Sequence, residues 1–459
     1  MSDQGLRESI DRMRTRGISN QAIRVFRHYY HQLEEGALGV IPEATIEPLG
    51  DIQRLRSVEV TEAAARRALL QTAIVKLNGG LGTTMGMSGA KSALHVVNGY
   101  SFIDVIAQQT LALRKRWGVD VPLVFMNSFR TSEETVTALR PYGDLELDGV
   151  PLEFLQNAEP KLRARDLSPV DWPADPDLEW CPPGHGDVFV SMMTSGLIET
   201  LLDRGIRYVF ISNADNLGAT CDPDVAGWML DHDLPYVAEV CERTPSDRKG
   251  GHLAVRKADG RLVLRDLAMV YPGEEEDFRD IGRHSTFHAN NIWVSLEDLE
   301  KRMTRTGGVL GLPIIVNRKR VDPSDPTSTK VIQIESAMGG AIEIFERSEA
   351  LLVPRTRFRP VKTTNDLLVL RSDFFSLDDD FHIVASRPGP EPFVDLDDDY
   401  FKLIPHFETR FPGGVPSMRE CTSLTVTGDV TFGAEVRCID DVVIQGTGRV
   451  PDGAVLGGA

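Results

Sequence analysis

Residues 73–92 read AIVKLNGGLGTTMGMSGAKS. An apolar, strand-like run is followed by Gly79, Gly80, Gly82, Gly86 and Gly89, five glycines within eleven residues, and then by Lys91. Glycine loses more backbone freedom on folding than any other residue, so a cluster needs a compensating reason. One is a loop that requires positive φ angles. The other is close approach of a ligand to main-chain N–H groups, which turned inward after a strand form an anion-binding nest. A merely mobile loop is the plain alternative, and the strand before it and the lysine after it argue against that.

Counting the spacing excludes the two commonest glycine loops. A Walker A loop needs Gly-Lys-Ser/Thr, but Ala90 separates Gly89 from Lys91. The dinucleotide fingerprint GxGxxG takes Gly80 and Gly82, but Met85 holds the third glycine position and Gly86 comes one residue late. What is left is a strand, an anion nest and a lysine.

The flanking sequence repeats a strand–helix alternation. SFIDVIAQQTLALRKRWG (101–118) is an amphipathic helix opened by a Ser101 cap. VPLVFMNS (121–128) reads as a strand and SEETVTALRPYG (132–143) as a short helix. DVFVSMMTSGLIETLLDRG (187–205) reads as one helix, and YVFISNADN (208–216) as a strand with a polar end. This order predicts an α/β fold with a doubly wound, mainly parallel but mixed sheet, whose ligands sit at the carboxyl ends of the strands. Before it, residues 1–70 read as mostly helical: AIRVFRHYYHQLEEG and VTEAAARRALLQT carry apolar residues at helical spacing. GGHLAVRKADGRLVLRD (250–266) reads as a hairpin about Asp259-Gly260. The proline-rich SRPGPEPF (386–393) marks a boundary, which divides the chain into 1–70, 71–385 and 386–459. A prior of about 150 residues per domain agrees for a chain of 459 residues.

Beyond that boundary Leu424, Val430, Val436 and Val442 recur every six residues, as do Val426, Phe432, Cys438 and Ile444. A six-residue period predicts a short, left-handed parallel β-helix of hexapeptide repeats. An antiparallel meander is the alternative.

The composition narrows the partners. The formal net charge is −18, which excludes a nucleic-acid backbone binder lacking a basic face. EEED (274–277) and DLDDDY (395–400) read as solvated acidic loops. The five cysteines have no CxxC spacing, which argues against zinc, and their sparse use suits a cytoplasmic location. No apolar run is long enough to span a membrane, and the charged amino-terminal stretch lacks a signal peptide's apolar centre.

Three further constellations carry chemistry. In YVFISNADNLGAT, Asp215 follows a strand and is flanked by Asn213 and Asn216. One carboxylate plus substrate phosphates is a usual way to hold Mg²⁺, and capping of the next helix is the alternative role. CPPGHGDVF stiffens a turn around His185 before a helix, which can face an anion or be purely structural. In VKTTNDLLVL, Lys362 opens a strand-like run.

KLNGGLGTTMGMSGAKS, MNSF, PPGHGD, SNADNLGAT, KGGHL, NNIW and KTTNDLL occur in the order found in the eukaryotic-type UTP–glucose-1-phosphate uridylyltransferases, and the chain closely resembles that family from Ala73 to Ser376 and again in LTVTGDVTFGAEV. The resemblance implies a nucleotide-diphospho-sugar transferase, Rossmann-like catalytic fold. It implies an enzyme that joins UTP and glucose 1-phosphate into UDP-glucose and pyrophosphate with Mg²⁺. Leu77, Asn78, Gly79 and Gly80 match nucleotide contacts, and Lys91 matches a lysine on the phosphates. Gln156, in EFLQN, matches the glutamine that reads the uracil edge, and Gly184 a uridine contact. His185 and Asn213 match residues near the sugar phosphate, Asp215 the metal ligand and Lys362 the main catalytic lysine. Gly251, Asn291 and Glu335 match motifs that line the glucose pocket. Two relatives in function stay open at this point: a pyrophosphorylase for galactose 1-phosphate or N-acetylglucosamine 1-phosphate, and a sugar-nucleotide-binding regulator without catalysis. Ala90 stands where the family usually has proline, which predicts a looser loop. The chain stops soon after GAVLGGA, so the family's assembly is not carried over and a homo-oligomer is left open.

Overall fold

The computed structural model describes residues 2–36, 39–87 and 89–458. Its centre is an eight-stranded sheet. In chain order its strands are β1 (Gln53–Arg54), β2 (Thr72–Asn78), β3 (Leu123–Asn127), β4 (Glu153–Leu155), β5 (Tyr208–Asn213), β6 (Tyr236–Glu242), β7 (Thr286–Ser295) and β8 (Ser348–Leu352). They lie side by side as β1-β8-β6-β7-β5-β2-β3-β4. All neighbours are parallel except that β7 runs antiparallel to β5 and β6. The sheet is therefore mixed and mainly parallel, as the alternation predicts.

A parallel sheet covered on both faces buries its strands completely, and every residue of β2 is buried. Side chains alternate across the sheet. Ile74, Phe125, Phe210 and Trp293 pack into the core on one face. Ala73, Val75, Leu77, Val124 and Ile211 pack into the core on the other. Register brings the polar ends of the strands level: Leu77 lies beside Asn213 and Met126, and Asn78 beside Asn127. The glycine loop thus leaves the sheet at its carboxyl edge.

Helix ends follow local chemistry. Ser101 and Asp104 form a capping box for the helix Phe102–Trp117, which ends at Gly118 with φ 60°. The hairpin about Asp259-Gly260 is present, pairing His252–Arg256 with Leu262–Arg265.

Two expectations are corrected, and a third holds with two short strands added. Residues 187–205 form two helices, Val188–Thr194 and Leu197–Asp203, because Gly196 between them adopts φ 77°. The run after Lys362 is the helix Thr364–Arg371. A capping box between Thr363 and Asp366 starts it and outweighs the strand-like appearance of LLVL. The first seventy residues are helical over Ser2–Thr15, Asn20–Glu34 and Glu62–Leu69, but between them Ile46–Pro48 pairs with His252–Arg256, and β1 forms an edge of the central sheet.

Near the carboxyl end Phe393–Leu396, Ser417–Thr427, Arg437–Gln445 and Val455–Gly457 pair in parallel. Leu424 lies beside Val442 and Val426 beside Ile444, eighteen residues on, or three six-residue steps. Parallel pairing excludes the antiparallel meander.

Candidate functional site

At the carboxyl edge an open cleft of about 290 Å³ is lined by Leu77, Asn78, Gly79, Gly80, Lys91, Gln156, Gly184, His185, Asn213 and Asp215, together with Ser92, Met126, Pro182 and Ala214. The first ten are sequence candidates, drawn from five separate segments and brought together by the register of β2, β3 and β5.

The glycine loop is tied at several points. Asn78 donates its side-chain amide to Oδ1 of Asn127 and to Oγ1 of Thr135, both at 2.8 Å. Gly79 faces Gln156, and a Cβ there would come within 2.6 Å of the glutamine amide nitrogen. A Cβ on Gly80 would meet open space, so its backbone is accessible from the cleft. Gly82 and Gly86 take left-handed φ angles of 62° and 71° that side chains resist.

Lys91 points at Asp215. Its Nζ lies 2.6 Å from Oδ2 and also donates to the carbonyl of Val361. The Val361 N–H in turn donates to the carbonyl of Asp215 at 3.2 Å. Asp215 Oδ1 is buried with no hydrogen-bond partner. The next helix, Pro223–Asp231, is capped by Asp222 rather than Asp215. The aspartate is thus free of the capping role weighed against metal binding.

Gly184 has φ 81°, and a Cβ on it would lie 2.5 Å from the carbonyl oxygen of Ser336. Burial pushes His185 down to about 4, so its ring is neutral near neutral pH. Nδ1 accepts the N–H of Met338 at 3.2 Å, which leaves Nε2 as the donor. Asn213 accepts the side-chain amide of Asn290 at 3.0 Å and so offers its own N–H groups to the cleft.

Four candidates lie outside the lining. Lys362 is exposed at the rim with its ammonium 5.6 Å from the Phe358 ring centre, and its backbone N–H is held by Asp366. Gly251 accepts the N–H of His288 through its carbonyl. Glu335 stands behind Gly184, 3.7 Å from Lys319, in a cavity shared with Tyr29 and Asp187. Asn291 is fully buried and donates to Glu239 at 3.0 Å. Asn290, with φ 57°, is the neighbour that meets a cleft residue.

Several supporting residues escaped the sequence reading. Asp187 accepts both the backbone N–H and side-chain amide of Asn157, at 2.7 and 2.9 Å, which fastens the residue after Gln156 to the His185 turn. Glu239 accepts Arg357, Trp293 and Asn291 in the core. Glu134 accepts the N–H of Ala90 at 2.5 Å. Ala90 has φ −63° and ψ 121° and is buried. The loop is therefore pinned at the position where looseness was expected. Asp187 closes PPGHGD, Asn157 closes EFLQN, Trp293 closes NNIW and Glu134 stands in SEETVTALRPYG, whereas Glu239 stands in none of these stretches.

Residues 23–438 match the family model described as UTP–glucose-1-phosphate uridylyltransferase. The chain belongs to that family. The UTP–glucose-1-phosphate uridylyltransferase of Solanum tuberosum is 37% identical over 424 residues, covering 91% of this chain and 86% of the relative. That of Hordeum vulgare is 39% identical over 400 residues, covering 85% and 82%. Among solved structures, a mutant of the UDP-glucose pyrophosphorylase from Leishmania major in complex with UDP-glucose superposes with a TM-score of 0.91 at 38% identity, covering 99% of this chain and 98% of the other. The UDP-glucose phosphorylase of Trypanosoma brucei gives 0.89 at 43% identity, with 99% of each chain covered. The likeness to the family thus extends over nearly the whole chain.

Proposed function

We propose that this protein is an enzyme that transfers the uridylyl group of UTP to glucose 1-phosphate, forming UDP-glucose and pyrophosphate reversibly. The observation that carries this reading is the convergence of the glycine loop, Lys91 and Asp215 at the carboxyl ends of β2 and β5. The nucleophile is a phosphate oxygen of glucose 1-phosphate, already largely ionised near neutral pH because its second pKa is about 6. No protein base is needed. Catalysis is positioning and charge neutralisation of an in-line displacement at the α-phosphorus.

In this assignment the backbone of Gly79 and Gly80 approaches the nucleotide, Gln156 reads the base, and Gly184 packs against the uridine. Lys91 neutralises phosphate charge. Lys362 reaches the reacting phosphate from the rim, where its exposed stem is free to swing. His185 and Asn213 donate to the sugar phosphate. Gly251, Asn291 and Glu335 belong to segments that line the glucose side, Asn291 being held from the core by Glu239. Mg²⁺ fits this set, since the unpartnered Oδ1 of Asp215 is a hard oxygen beside a loop suited to phosphates. Asp215 would hold the ion together with substrate phosphates, since one carboxylate plus phosphates is a usual way to bind Mg²⁺. Bound there, the ion supplies positive charge to the phosphates.

The working organisation is residues 1–70, a catalytic part over 71–385, and 386–459 as a short left-handed β-helix, supported by parallel pairing at eighteen-residue intervals. A cytoplasmic location is part of the proposal, supported by five unpaired, buried cysteines. Among the described residues no helix is long and apolar enough to cross a membrane.

The test is a panel of glucose, galactose and N-acetylglucosamine 1-phosphates with UTP, read by pyrophosphate release with and without Mg²⁺. Release with glucose 1-phosphate and Mg²⁺ is expected to exceed the others. Preference for another sugar overturns the substrate assignment. Isolation of a uridylyl-enzyme after UTP alone overturns direct displacement.

A further inference from the structure

We infer that Glu134 is a positioning residue for Lys91, acting from the first turn of the helix Ser132–Leu139 to hold the glycine loop at its working span. Two adjacent residues of that turn grip the two ends of the loop. Thr135 accepts the side chain of Asn78 where the loop begins, at 2.8 Å. Glu134 accepts the N–H of Ala90 where it ends, at 2.5 Å. Gly89 makes room for the second contact: a Cβ there would run into the Glu134 carboxylate. Just past the second grip the chain closes back, with the Lys91 N–H donating to the Gly80 carbonyl at 3.3 Å and the Ala93 N–H to the Ala90 carbonyl at 3.0 Å.

The contact matters because Ala90 is the last backbone pivot before Lys91. Its φ of −63° and ψ of 121° aim the following turn, from which Lys91 reaches Asp215. Alanine does not impose that φ by itself, whereas a charge-assisted hydrogen bond to its N–H does. A carboxylate is also well placed in the first turn of a helix, where the dipole favours negative charge. Glu134 touches neither the cleft lining nor the expected reacting atoms, so its effect passes through Ala90.

The test exploits proline, whose ring fixes φ near −65° and removes the N–H. Proline at position 90 therefore supplies the same backbone angle without needing Glu134. Steady-state kinetics of the full chain are measured for wild type, Glu134→Ala, Ala90→Pro and the double variant, with thermal unfolding as a folding check. Glu134→Ala is expected to lower kcat/KM for UTP by about tenfold or more while KM for glucose 1-phosphate stays within about twofold. The double variant is expected to recover to within about threefold of wild type, although Ala90→Pro alone, which strands the carboxylate, impairs it. Glu134→Gln, which keeps an acceptor oxygen, is expected to fall between wild type and Glu134→Ala, and serves in its place if Glu134→Ala fails to fold. Unchanged UTP kinetics in Glu134→Ala, or failure of proline to rescue with both KM values rising together, overturns the inference. It rests on the cleft being the UTP site. A wild type without UTP-dependent pyrophosphate release defeats that reading, whereas an active wild type matched by Glu134→Ala defeats this inference alone.

Discussion

The Lys91 ammonium lies 2.6 Å from the Asp215 carboxylate, on the oxygen next to the one that has no partner. The protein's own cation thus neutralises the carboxylate proposed to hold the metal. Incoming phosphates offer Lys91 another anion, so nucleotide and metal binding assist each other, with reciprocal coupling. Lys91→Met is expected to bind Mn²⁺ in the absence of nucleotide about tenfold more tightly than wild type, read by electron paramagnetic resonance, and Asp215→Asn is expected to abolish that gain. Equal affinities in wild type and Lys91→Met refute the competition.

Asp187 joins two walls of the cleft through Asn157. An asparagine at 187 presents one acceptor oxygen to donors from Asn157 and Ser191 that now share two. Loss of hydrogen bonds to a charged group costs about 1.5–3 kcal/mol. Asp187→Asn is expected to raise KM for UTP by about tenfold with a smaller change in kcat, because Gln156 loses its fixed neighbour. Initial-rate measurements at varied UTP decide this, and a fall in kcat alone contradicts it.

The Glu239–Arg357 pair is of a different kind from the surface ion pairs. Burial pushes the Glu239 carboxyl up, but the Arg357 charge and the hydrogen bonds from Arg357, Trp293 and Asn291 outweigh it and hold the group below the ordinary range. Removing one partner of such a buried pair costs about 3–5 kcal/mol. An exposed pair such as Arg279–Glu276 contributes under about 1 kcal/mol. Urea denaturation of Glu239→Gln and Glu276→Gln is expected to show that contrast. Glu239→Gln is also expected to lower kcat, because Arg357 anchors the segment that leads to Lys362.

Burial pushes His288 down to about 4. Between that value and the ordinary histidine value of about 6.5, the unfolded chain binds more protons than the folded one, so stability falls as pH drops through this window. Asp187 runs the other way. Burial pushes it up to about 6, so its ionisation costs stability as pH rises through that value. The histidine effect is isolated by difference: the stability of wild type minus that of His288→Asn is expected to shrink from pH 6.5 to pH 4 and to stay level above 7. A difference independent of pH refutes the assignment.

The amino-acid sequence by itself determined the strand, the glycine nest and its lysine, the alternating α/β plan, the polar strand end carrying Asp215 and the six-residue period of the tail. These are local patterns, in which periodicity and glycine spacing act over a few neighbouring residues. Tertiary structure alone decided that β7 runs against its neighbours, that Asn290 holds the side chain of Asn213, and that Glu134 pins Ala90 across 44 residues of chain. It also brought Val361 against Asp215 and so set Lys362 at the rim. Such contacts depend on which surfaces the core packing brings together. A carboxylate so far along the chain carries no local sign of which N–H it will hold, so strand order and register had to place it.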